Sequence, residues 1–173
     1  MKFRHTALAA LIFAAGIGVG FAGQQKLDAS LFQGKSNQEA ARALLGAART
    51  QAGDGSWERI AIGRVYYLGG MKTEGQAIFD QVLAEKHKPS DELRIARVYR
   101  EAGEWAKAKP LFDQYVVQTP KDQTDIAEVG TYYLMNGDRA KAEELFTRSF
   151  GLKAELWATV AAAGGYLNVA PQE

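Results

Sequence analysis

The stretch Ile95-Ala96-Arg97-Val98-Tyr99-Arg100-Glu101-Ala102-Gly103-Glu104-Trp105-Ala106-Lys107-Ala108-Lys109-Pro110-Leu111-Phe112 decides the fold, because its landmarks recur on either side. Phe112 has counterparts in Phe79 and Phe146, at separations of 33 and 34 residues. The same offsets align Ile95 with Ile62 and Val129, Ala96 with Gly63 and Gly130, and Tyr99 with Tyr66 and Tyr133. Gly103 aligns with Gly70 and Gly137, and Ala108 with Gly75 and Ala142. A period of this size, sustained over three units, predicts stacked supersecondary repeats.

Each unit reads as two antiparallel helices. Small residues stand where the helices must come close, at Gly63, Ala96 and Gly130 on the first helix and at Gly75, Ala108 and Ala142 on the second. Tyrosine and phenylalanine fill the space around that crossing. Gly70, Gly103 and Gly137 fall where the first helix ends and can take the left-handed conformation such an ending uses. In Asn136-Gly137-Asp138, Asp138 is placed to cap the next helix.

The order of apolar residue with Gly or Ala, then Tyr, Gly and A-x-x-x-F resembles the tetratricopeptide repeat, with units at 56–88, 89–122 and 123–156. The family's early tryptophan is replaced by Arg59, Glu92 and Ile126. The resemblance implies an all-α fold, a right-handed solenoid of antiparallel helix pairs. A degenerate repeat is expected over 23–55, where Ser36 and Glu39 have the form of a capping box. A capping helix and tail are expected over 157–173, with Gly164 at the small position of a first helix.

The beginning is different. Lys2 and Arg4 precede an uncharged run from Ala7 to Ala22, and Gly20-Phe21-Ala22 ends it with small residues at the −3 and −1 places. Residues 1–22 are therefore expected to be a signal peptide cut after Ala22, and the protein periplasmic or secreted. The run is short for a membrane span, and a retained anchor is the alternative reading.

Composition removes several chemistries. There is no cysteine, hence no disulfide, thiol nucleophile, cysteine zinc site or lipidated cysteine. The 21 basic and 20 acidic residues leave a net charge of +1, which gives no reason to expect nucleic acid. The two histidines, His5 and His87, are isolated and assemble neither a metal site nor a catalytic set. The reading is of a non-enzymatic chain with no cofactor and no metal.

The family resemblance implies a concave groove lined by the first helices. Its groove places fall on Trp57, Ile60, Arg64, Tyr67 and Leu68, on Ser90, Leu93, Arg97, Arg100 and Glu101, and on Thr124, Ala127, Thr131, Leu134 and Met135. Arg64 and Arg97 hold the same place in adjacent units, and Arg100 follows one helical turn on. Three guanidinium groups suit a carboxylate-bearing protein or peptide, with Trp57, Ile60, Tyr67 and Leu134 as apolar pockets. Pairing of the arginines with Glu58, Glu92 or Glu101 is the competing expectation. Two other functions compete: self-assembly through Trp105, Tyr115 and Trp157, and a sugar or anion receptor built on Trp57 and Tyr67. The partner's identity and the oligomeric state stay open at this point.

Overall fold

The computed structural model describes residues 27–153 and 155–172. The leader read at residues 1–22 lies outside them. A 3-10 turn at Ala29–Leu31 is followed by α1 Asn37–Ala52, α2 Ser56–Leu68, α3 Lys72–Ala84, α4 Pro89–Glu101, α5 Trp105–Gln118, α6 Gln123–Met135, α7 Arg139–Leu152 and α8 Leu156–Tyr166. There is no strand among the described residues. The pairs α2/α3, α4/α5 and α6/α7 pack closely, and successive pairs stack on one another. This is a solenoid of helix pairs, all-α as the repeat pattern implies. Among the described residues, no helix is long and apolar enough to cross a membrane.

The three pairs turn in the same way. Gly70, Gly103 and Gly137 carry φ of 85°, 75° and 85°. One residue on, the amides of Met71, Glu104 and Asp138 donate to the carbonyls of Tyr66, Tyr99 and Tyr133 at 2.8, 2.8 and 3.0 Å. That six-residue closure satisfies a helix-end carbonyl, and it requires a left-handed residue between. Asp138 then caps α7 by accepting from the Lys141 amide at 3.0 Å. At the front, the Ser36 and Glu39 side chains and amides form a reciprocal capping box on α1.

The crossings explain the small residues. A Cβ on Gly130 would lie 2.7 Å from the Phe146 ring, and one on Gly63 would lie 2.6 Å from Phe79. On the opposite helix, a Cβ on Gly75 would lie 2.7 Å from the Gly63 carbonyl. Phe79, Phe112 and Phe146 are consequently buried. Aromatic rings carry the core from one pair to the next. Tyr67, Phe79 and Tyr99 meet with centroids 5.5 to 5.7 Å apart, and Phe112 stacks on Tyr132 at 5.1 Å. Trp105 meets Tyr133 edge-on at 5.1 Å, so it belongs to this packing and is no free outer surface.

The places of the missing tryptophan are filled in three ways. Ile126 is simple core. Arg59 is buried and forks onto Glu85 at 2.7 and 3.3 Å. Glu92 is buried and is met at 2.9 Å by His87 Nε2 and at 2.8 Å by the Gln114 amide. Both charged substitutes are hydrogen-bonded, as burial of charge demands.

Candidate interaction face

The first helices α2, α4 and α6 carry all fifteen residues expected to line a groove, and burial divides the set. Ile60, Tyr67, Leu93 and Thr131 are buried. For Ile60 and Tyr67 this corrects their reading as apolar pockets: all four are turned between helices and hold the face from beneath. Tyr67 lies in the aromatic core, its hydroxyl taking a hydrogen bond from Lys107 Nζ at 2.8 Å. It therefore cannot pair with Trp57 as a two-ring sugar platform. Thr131 spends its hydroxyl on the carbonyls of Ala127 and Ala161, at 3.1 and 2.7 Å. Leu134 is half-buried against the core.

Trp57, Arg64, Arg97 and Arg100 remain at or near the surface. Trp57 is exposed, and the Arg94 guanidinium covers its ring at 5.6 Å from the centroid. Arg64 forks onto Glu101 with hydrogen bonds of 3.0 and 2.6 Å. Arg97 forks onto Glu128 at 2.6 and 2.7 Å, with Asp125 a further 3.7 Å neighbour. Arg100 lies over the Tyr132 ring at 4.7 Å. Each of these pairings joins one helix pair to the next. The arginines are thus tied to the following repeat, Arg64 to Glu101, Arg97 to Glu128 and Arg100 to the Tyr132 ring.

Electrostatics differ along the face. Burial works against the Arg97 charge, but the Glu128 carboxylate outweighs it and holds the guanidinium above its usual range. Burial also raises the Asp125 carboxyl, even though the Tyr115 hydroxyl donates to it. The Arg64–Glu101 pair is half-exposed on both sides and is open to exchange with a carboxylate or a cation from outside.

Sequence reasoning passed over Glu128, Asp125 and Arg94. A usable signal was present: an acid on the next first helix, 31 or 37 residues after an arginine, is one repeat away in space. It also passed over a cleft of about 550 Å³ between α6, α8 and the tail, lined by Thr124, Glu128, Trp157, Val160, Gly164 and Val169 among others. Among the described residues, no group of three or more His, Cys, Asp or Glu is placed to hold a metal ion.

No curated protein and no solved structure matches the chain. The family model described as tetratricopeptide repeat matches residues 92–122. Those residues span α4 and α5, and the helix pairs on either side share their turn and crossing. Residues 92–122 thus match a tetratricopeptide repeat, a repeat whose general use is protein–protein interaction.

Proposed function

We propose that this chain is a protein-interaction module of the cell envelope, which takes an extended or helical segment of a partner along the face of its first helices. One observation carries the reading. Trp57, Ser90 and Thr124 hold the same place on three successive first helices, and cross-repeat arginine forks brace those helices to one another. A braced face loses little conformational freedom on binding. Its exposed members, Trp57 and the Arg64–Glu101 pair, supply an apolar anchor and an exchangeable charge.

A partner segment with an apolar side chain followed by a carboxylate fits that pattern. The carboxylate would displace Glu101 from Arg64, and the anchor would lie on Trp57. Placement in the envelope rests on the basic start, the uncharged run Ala7–Ala22 and the small residues before Gly23. Affinity capture from an envelope fraction tests both parts. A partner retained by the wild type and lost by Trp57→Ala with Arg64→Glu supports the face. Equal capture by both proteins refutes it. A mature N-terminus at Gly23 on the exported protein supports the address, and an intact Met1 refutes cleavage.

A further inference from the structure

Helices α2, α4 and α6 carry five arginines, and the stack treats them in two ways. Arg59, Arg64 and Arg97 each fork onto a carboxylate, that of Glu85, Glu101 and Glu128 in turn. Arg94 and Arg100 do not. Each is laid on an aromatic ring of a neighbouring first helix, Arg94 over Trp57 on α2 at 5.6 Å and Arg100 over Tyr132 on α6 at 4.7 Å.

What these two lack is an acceptor. Among the described residues, the Arg94 guanidinium donates only to the Ser90 carbonyl one turn back, at 3.3 Å. Its acidic neighbour Asp91 stays at 3.8 Å, is buried, and accepts from the Lys88 amide at 3.0 Å as part of the α4 cap. The Arg100 guanidinium has neither a hydrogen bond nor an ion pair within the described residues.

A guanidinium carries five donors in a planar fork and keeps its charge. Stacking uses its flat face and leaves the edge, where the donors lie, for hydrogen bonding. A carboxylate fills that edge with two parallel, charge-assisted bonds, as Glu101 and Glu128 already do for Arg64 and Arg97. The Arg94 side chain is 37% exposed and Arg100 is half-buried, so both can be reached. They stand six residues apart on α4, with Arg97 between them. That is about 9 Å of helix rise, roughly what three residues of extended chain cover. With each guanidinium laid on the ring of a different helix, the pair suits two carboxylates of one segment better than one small anion. Glu101, Asp125 and Glu128 on the same face disfavour a continuous polyanion and suit acids set at intervals.

We infer that Arg94 and Arg100 are charge receivers of the interaction face, and that the partner segment is acidic, with carboxylates about three residues apart. The inference rests on the proposed first-helix face and adds the charge pattern of its occupant. These two receivers require no carboxylate of the chain itself to be displaced.

Fluorescence anisotropy with the full chain tests it, using a labelled Ser/Gly peptide with glutamate at every third position beside the same peptide with glutamine. The glutamate peptide is expected to bind and to weaken as salt is raised. Arg94→Gln and Arg100→Gln are each expected to weaken it about fivefold, with helical circular dichroism unchanged. Arg100→Lys is expected to recover only part, because an ammonium has no fork. Arg139→Gln, which removes an exposed charge from α7, is expected to leave binding unaltered. Equal binding of the glutamate and glutamine peptides, or binding that survives Arg94→Gln with Arg100→Gln, overturns the inference. The face is judged separately, by crosslinking from positions 57, 90 and 124. A partner crosslinked there and still captured in full by the double variant leaves the face standing and removes the two receivers. Peptide binding that depends on both arginines, with those positions silent, upholds the receivers and removes the partner-segment reading.

Discussion

Arg97 on α4 clasps Glu128 on α6 with two hydrogen bonds, 2.6 and 2.7 Å long, across the boundary between two helix pairs. Arg64 makes the corresponding clasp one repeat earlier but lands on Glu101, at the far end of α4. The two forks look alike and differ in exposure: Arg97 and Glu128 are largely covered, while Arg64 and Glu101 are half in water.

That difference predicts unequal costs. Glu128→Ala leaves a covered guanidinium without its partner and is expected to cost about 2–3 kcal/mol. Glu101→Ala breaks a solvent-screened pair and is expected to cost under about 1 kcal/mol. Urea unfolding of the two variants measures both. Equal losses would mean that the clasp contributes nothing beyond what solvent already supplies.

Gly130→Val is expected to destabilise by about 1–3 kcal/mol, since its first added carbon would come 2.7 Å from the Phe146 ring. Pairing it with Phe146→Leu should recover part of the loss, because the smaller side chain relieves the contact. Thermal melting of the single and double variants decides this. A double variant worse by the sum of the two single losses would show that no contact couples them.

The pair His87 and Glu92 predicts a pH dependence. Both ring nitrogens face acceptors, the Glu85 carbonyl and the Glu92 carboxylate, each at 2.9 Å. Only the doubly protonated ring satisfies both, so the imidazole is raised above its usual range, first by the backbone carbonyl and then by the carboxylate. The folded pKa exceeds the unfolded one, so the stabilisation is complete below about pH 6.5 and is lost as pH rises through the folded value. Unfolding free energy measured across neutral pH should fall in that window for the wild type. It should be flatter for His87→Gln.

The repeat was legible because it rests on positions where geometry leaves one class of residue. At Gly63 and Gly130 a ring occupies the space a Cβ needs, and at Gly137 the turn needs a positive φ. The face was less legible. Whether Ile60 or Leu93 points outward depends on the rotation of each helix against its neighbours, which alternation of residue types within one helix does not encode. The partner of Arg97 was hidden for the same reason. Glu128 is an ordinary helix-surface acid until the stack brings α6 beside α4.

The proposed function requires the first-helix face to take a segment of another protein. Photocrosslinking in envelope preparations tests it most directly, with a photoreactive side chain at 57, 90 or 124 on that face, or at the exposed Val117 on α5. Crosslinks to one partner are expected from 57, 90 and 124 and none from 117. Crosslinks from 117 alone, with the three first-helix positions silent, would contradict it.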